Sequence, residues 1–287
     1  MAEIAANSEA DVIDAVHAAR DHRRTLEIVS GGTRRSFGRP TRCDDVLNVS
    51  ALSGIVNYEP EELILTVKPG TPLDEIENAL TAKNQRLGFE PQDWCALLGS
   101  QGTSTIGGAI SANANGPAAV RFGRARDHLL GFRAVNGFGE TYKAGGRVVK
   151  NVTGFDLPKL MCGAMGTLGP LTELTFRVFP KSAAKIFMMA SDDGAVLRKV
   201  AASPLEATAL IHSGGKAYVR LEGALDEKTA LLRNLGDFTE TDVLPGPILP
   251  LMPLPPEPPA RAALTRSVKA AFDPLGLFNP GRMYEGL

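Results

Sequence analysis

With 287 residues the chain is long enough for one large domain or two and for a sizeable buried core. Apolar residues make up 44% and charged residues 22%, and the net charge of −1 excludes the basic footprint of a nucleic-acid or anionic-membrane binder. Cys43, Cys95 and Cys162 are scattered without CxxC spacing, which excludes a disulfide framework or an iron–sulfur site and fits a reducing compartment.

The N-terminal stretch MAEIAANSEADVIDAV brings acids early and lacks the basic start and apolar run of a signal peptide. No apolar run approaches the ~18 residues of a transmembrane helix, so a cytoplasmic location is expected. Ser8 and Asp11 have the spacing of a capping box, and Val12, Ile13, Val16 and Ala19 then mark one helical face. Leu26 to Ser30 reads as a strand ending at the Gly31–Gly32 turn, and Val46–Val49 and Leu63–Val67 as further strands. Thr71 is placed to cap a helix with Pro72 at its first position, Ile76 and Leu80 on its apolar face and Gly88 beyond its end. Phe132–Asn136 and Thr141–Lys143 flank a hairpin turn at Gly137–Gly139. Residues 1 to about 180 thus form a mixed α/β region with glycines at strand ends.

From Lys185 the order becomes strand (Ile186–Ala190), helix (Ala195–Ala202), strand (Ala207–His212), strand (Ala217–Glu222), helix (Asp226–Leu235). That is most of a ferredoxin-like split βαβ unit. Eight prolines in residues 244–259 make an extended spacer, and a last helix over Ala260–Phe272 leads to Leu277–Arg282.

Three glycine clusters carry the chemistry. In the loop Ser30, Gly31, Gly32, Thr33, Arg34, Arg35, Ser36, successive backbone N–H groups can form an anion nest, with hydroxyls and arginines as further donors. The alternative is a polar loop with exposed arginines. Neither a Walker A nor a GxGxxG pattern is present. Thr105, Ile106, Gly107 and Gly108, with Ser111, read either as a second close-approach loop or as a tight helix start. The ladder Gly163, Gly166, Gly169 leads into the strand at Leu171, with Thr167 between its glycines. Arg121, Arg124 and Arg126 read as a solvated face. Lys150, Phe155 and Asp156 precede the ladder, and Asp156 reads as a helix cap. His17, His22, His128 and His212 lack metal spacing, and no Ser-His-Asp set or carboxylate pair can be assembled. The sequence offers a ligand cradle with no evident acid, base or nucleophile.

Taken in order, SGGTRRSFG, VKPGTPLDEIENAL, STIGGAIS, the KNVTGFDLPKLMCGAMGTLGPLTEL block and the terminal FDPLGLFNPGRMY resemble the vanillyl-alcohol-oxidase (PCMH-type) FAD-binding family. Within it the chain is most similar to the FAD-binding subunits of bacterial glycolate oxidase complexes, over about residues 24–181 and 271–284. The resemblance implies an α+β fold: a two-part PCMH-type FAD domain over 1–181, a smaller ferredoxin-like α/β domain over 182–243, a proline-rich linker over 244–259, and a segment over 260–287 returning to the FAD domain. It places the pyrophosphate on Gly31–Ser36 and near Thr105–Gly108, the flavin beside the ladder with backbone contacts at Gly169–Leu171, and Asn279 in the same cleft. Pro91 and Gly123 complete the implied cofactor set. Relatives attach FAD covalently through a histidine where this chain has Thr33, so non-covalent FAD is implied, with Cys95 and Cys162 as alternative attachment points. Phe155 replaces a tyrosine, Pro170 an aliphatic residue, and the region before the last helix is shortened.

The implied activity is FAD-dependent oxidation of a small 2-hydroxy acid such as glycolate, as a subunit that passes electrons to an iron–sulfur partner. A companion flavoprotein subunit carries most of the substrate chemistry, and contact with the inner membrane comes only through partners. The alternatives are a stand-alone FAD dehydrogenase or oxidase and a non-catalytic assembly subunit. Nucleic acid and metal are not expected.

Overall fold

The computed structural model describes residues 1–146, 155–246 and 257–286; Lys150 and most of the proline-rich run lie outside the described residues. The chain opens with β1 (Ala2–Ala5), a short and largely exposed strand that the sequence reading missed. α1 (Glu9–His22) starts at the expected capping box, with Ser8 Oγ accepting from the Asp11 amide and the Asp11 carboxylate accepting from the Ser8 amide. β2 (Leu26–Val29) and β3 (Asp45–Asn48) then form a parallel three-stranded sheet in the order β1-β3-β2. Val12, Ala15, Val16 and Ala19 of α1 pack on Leu26 and Leu47, and Leu277 and Phe278 from the far end of the chain complete this core.

The second lobe begins with β4 (Ile55–Glu59) and β5 (Ile64–Val67), then α2 (Leu73–Thr81), β6 (Gln85–Arg86), α3 (Cys95–Leu98), α4 (Ile106–Ser111), α5 (Ala119–Phe122) and α6 (Ala125–His128). It closes with β7 (Leu129–Val135), β8 (Thr141–Gly145), α7 (Leu157–Met161), β9 (Leu171–Arg177) and β10 (Phe179–Pro180). Five strands make an antiparallel sheet, β4-β5-β9-β7-β8, while β6 and β10 pair as a small ribbon. All four residues of β5 are buried, and Leu65, Val67, Leu174 and Phe176 pack on Ile76, Leu80, Ile106 and Ile110 of the covering helices. Thr71 does not cap α2 as expected. Its hydroxyl donates to the Lys68 carbonyl at 2.7 Å and accepts from the Gly54 amide at 2.9 Å, so Pro72 takes the cap position. The Leu73 amide at the helix start donates instead to the Ser104 carbonyl, 2.9 Å away.

The third unit runs β11 (Lys185–Ser191), α8 (Ala195–Ala202), β12 (Ala209–Ser213), β13 (Lys216–Glu222), α9 (Leu225–Arg233) and β14 (Thr239–Glu240). Its antiparallel order β12-β13-β11-β14 is the ferredoxin-like one, completed by a two-residue strand that carries no hydrophobic signal. Met188, Val219, Leu221, Leu232 and Phe238 give this unit its own core. It joins the second lobe through charge: Arg86 grips Glu222 at 3.0 and 2.7 Å, and Arg220 grips Glu90 at 2.7 and 2.9 Å. Last comes α10 (Pro259–Phe272), starting one residue earlier than the sequence suggests.

Candidate functional site

The first glycine loop follows β2, and its position is fixed by backbone. A Cβ on Gly31 would overlap the Thr103 carbonyl oxygen, and one on Gly102 the Gly31 carbonyl, so the two loops lie against each other as only glycines allow. Ser100 Oγ donates to the Thr33 carbonyl at 2.7 Å, and Thr105 Oγ1 donates to Ser30 Oγ at 3.1 Å, tying this loop to the start of α4. The ladder packs on the other end of α4, with the amides of Gly163 and Met165 donating to the carbonyls of Ile110 and Ser111, both at 2.9 Å. At Gly169 (φ 138°) an added Cβ would strike the Val135 carbonyl; the Val135 amide donates to the Pro170 carbonyl at 3.1 Å, and the β7–β9 register shifts one pair later.

These loops enclose a cleft of about 790 Å³, open solvent included. Ser30, Gly31, Gly32, Thr33, Arg34 and Arg35 form one wall. Thr105, Gly107, Gly108 and Ser111 form the second, and Gly166, Gly169 and Leu171 the third. Asn279 closes it from the chain's far end: its Oδ1 accepts from the Ile28 amide at 2.9 Å and its Nδ2 donates to the Met165 carbonyl at 2.7 Å. The other expected residues do not line the cleft. Ile106 is core, Thr167 turns its hydroxyl to the Ala164 carbonyl, and Gly163 packs on Asn113. Ser36 Oγ lies 3.4 Å from the Leu98 carbonyl, Gly123 packs on Asp127, and Pro91 lies outside.

Lining residues that sequence reasoning missed are Glu27, Ile28, Val29, Phe37, Val49, Pro69, Ala112, Met165 and Arg282. Pro69 had no signal of its own: only the tertiary structure shows that Gly107 sits against it, where a Cβ would meet the proline. Arg282 had none: it reaches back across the sequence to donate to the carbonyls of Arg34 and Arg35. The apolar members give the cleft a surface for a flat ring system, and the polar ones cluster at the first loop. A more polar vestibule shares Ser30, Gly31, Gly32 and Thr105 with the cleft and adds Glu3, Asn48, Ser50, Ser53 and Thr103.

The charge pattern favours an anion. Glu27 is engaged by Arg35 at 3.0 and 2.5 Å, a pairing that raises the guanidinium's pKa. Arg34 is buried and Arg282 half-buried, and desolvation pulls each pKa below the usual arginine value. Arg34 Nε has no hydrogen-bond partner. A cleft floored by a buried cation, roofed by loop backbone and flanked by Ile28, Val49 and Leu171 fits a molecule that joins phosphate to aromatic rings. Cys95 and Cys162 do not line it, and burial pushes the Cys162 thiol up to about 12, so it is no nucleophile at neutral pH.

A family model described as an FAD binding domain matches residues 2–145. Glycolate oxidase subunit GlcE of Escherichia coli (strain K12) is 34% identical over 218 residues, which cover 74% of this chain and 60% of that protein. D-2-hydroxyglutarate dehydrogenase of Xanthomonas citri pv. viticola is 34% identical over 55% of this chain and 32% of its own length. Glycolate oxidase subunit GlcD of Bacillus subtilis (strain 168) is 32% identical over 59% and 35%, respectively. The matches thus span between about a third and 60% of the length of these relatives. Among solved structures, alkyldihydroxyacetonephosphate synthase aligns with TM-score 0.66 at 15% identity, covering 85% of this chain and 52% of that one, a likeness of fold alone.

Proposed function

The chain belongs to the FAD binding domain family, with FAD as its cofactor, and from that premise we propose that it is the FAD-binding subunit of a glycolate-oxidase-like 2-hydroxy-acid oxidoreductase. The observation that carries the proposal is the convergence of three glycine segments and Asn279 on one cleft, in a chain similar to a glycolate oxidase subunit over 218 residues. The first loop and Thr105–Gly108 would hold the diphosphate, and Met165–Leu171 with Ile28 and Val49 would cover the rings. The region 1–181 would act as the FAD-binding domain and 182–243 as a cap. When bound, FAD supplies two-electron redox chemistry that no side chain offers.

What the chain's own residues supply is orientation. Asn279 locks the Ile28 and Met165 backbones together, and Arg282 donates to the carbonyls of Arg34 and Arg35, which fixes the first loop from the chain's far end. Oxidation of a 2-hydroxy acid also needs a base for the hydroxyl and a cation for the carboxylate. Among the described lining residues there is no histidine, and Glu27 is already engaged by Arg35. We therefore assign the substrate-facing groups to a companion flavoprotein subunit, with onward electron transfer to an iron–sulfur subunit. None of the described helices is long and apolar enough to cross a membrane.

The test is the visible spectrum of the purified protein, followed by acid precipitation. A two-banded flavin spectrum whose colour moves to the supernatant supports non-covalent FAD. Glycolate should then bleach the flavin only when companion subunits are present; bleaching by the chain alone would favour a stand-alone dehydrogenase. A colourless protein that cannot be reconstituted with FAD would favour the assembly-subunit alternative.

A further inference from the structure

On the reading that the cleft holds FAD, we propose that Arg34 is the residue that makes this site select a diphosphate-bearing flavin over riboflavin, and that it lowers the stability of the empty protein in doing so. The sequence allows Arg34 to be a solvent-exposed loop cation. In the structure it is 8% exposed and lines the cleft between Thr33 and Gly108, its Nη1 3.8 Å from where a Gly108 Cβ would stand.

Its partners are all neutral. Nη2 donates to the Gln92 carbonyl at 2.7 Å; Nη1 donates to Thr33 Oγ1 at 3.2 Å and to Ser104 Oγ at 3.5 Å; Nε donates to nothing. The guanidinium carbon lies 5.1 Å from the Trp94 ring centroid. Arg24, Arg35, Arg86, Arg133 and Arg220 each take a carboxylate with at least two hydrogen bonds, whereas no carboxylate comes within ion-pair distance of Arg34 among the described residues. Asp93, the acid whose charge bears most on it, is occupied by Ser104 Oγ at 2.7 Å and the Cys95 amide at 3.2 Å.

Burying a charge against dipoles and one aromatic face is unfavourable unless a counter-charge arrives. A planar guanidinium held in place beside the cleft by three neutral acceptors, its Nε–H buried without a partner, leaves a positive charge that a phosphate in the cleft would neutralise. Riboflavin brings no such charge, and FAD brings two phosphates.

The experiment is calorimetric titration of the flavin-free protein with FAD, ADP and riboflavin, for wild type, Arg34→Met and Arg34→Lys, together with thermal melts of the flavin-free forms. Arg34→Met should weaken FAD and ADP by at least ~30-fold, the loss that follows truncating one side of a buried charge pair, and leave riboflavin within about threefold. Its empty form should melt no lower than wild type and up to about 6 °C higher. Arg34→Lys keeps the charge without the fork and should fall between. Equal losses for ADP and riboflavin, unchanged ADP binding, or an empty Arg34→Met protein that melts lower would overturn the proposal. Should Arg34→Met fail to fold, the wild type still decides: its ADP affinity must fall with added salt while riboflavin's does not. Wild type that binds neither FAD nor ADP would instead refute the cleft assignment and leave the question of Arg34 behind it.

Discussion

Lys269→Met tests how the cleft is closed at the C-terminal end. Lys269 Nζ donates to Asp273 Oδ2 and the Thr167 carbonyl, both at 2.6 Å, and to the Phe278 carbonyl at 2.9 Å. The Asp273 side chain is 0% exposed and also accepts from the amides of Leu277 and Phe278 at 2.9 and 2.8 Å. One charge pair therefore fastens α10, the ladder and the Leu277–Phe278 segment that precedes Asn279. Methionine fills the stem of the lysine and leaves the carboxylate with two amide donors. Removing one partner of a buried pair costs about 3–5 kcal/mol, and the two amides hold the cost near the low end, ~3 kcal/mol. For a chain of this size that is a fall of roughly 6–12 °C in melting midpoint. Thermal melts at pH 7.5, with FAD affinity from flavin fluorescence, measure the loss. Lys269→Met/Asp273→Asn should recover more than half of the loss. A midpoint shift below about 2 °C would refute the buried-pair reasoning.

Other perturbations separate stability from binding. Gly31→Ala and Gly169→Ala should each destabilise by more than ~2 kcal/mol, measured by denaturant melts, because backbone carbonyls occupy the added methyl's place. Gly32→Ala meets only the Gln101 carbonyl at 3.8 Å and should cost about 1 kcal/mol for its positive φ; its main effect, read by flavin titration, should be on FAD affinity. Arg220→Met should cost ~2 kcal/mol rather than more, since Glu90 is about a third exposed and Glu222 keeps Arg86; pairing it with Glu90→Gln in a double-mutant cycle should show coupling of ~1 kcal/mol or more. Arg24 and the Ala2 amide hold the Asp45 pKa at about 2, below its ordinary 3.8. Its stabilisation is therefore present above pH ~4 and lost as pH falls from there through 2, about 1 kcal/mol after solvent screening, and Asp45→Asn should flatten that limb of a pH–melting profile.

Local signals were legible where their partners are local. Ser8 and Asp11 announced α1, Asp156 its short helix, and Gly137–Gly139 its hairpin, because each rests on hydrogen bonds within a few residues. The βαββα order of the third unit could be read up to its fourth strand, which is two polar residues held by Met188 and Met189. Members of the three glycine segments line one cleft, and at four of these positions the protein's own atoms also require glycine. The missing Cβ atoms of Gly31, Gly107, Gly166 and Gly169 make room for Thr103, Pro69, Asn279 and Val135 of the protein itself, partners set by tertiary structure. The burial of Arg34 was equally hidden, since Trp94 and Gln92 lie some 60 residues away along the chain.

The parallel bridge between Leu26 and Phe278 bears on the order of events during synthesis. A nascent chain that has released its first 180 residues already carries every glycine segment of the cleft, but not the carboxamide that bonds Ile28 and Met165, nor the guanidinium that draws in the first-loop carbonyls. Translation therefore delivers all three walls long before the latch. On the proposal that this cleft holds the cofactor, capture waits for the far end of the polypeptide to thread back beside β2, and a ribosome-stalled intermediate is expected to emerge colourless.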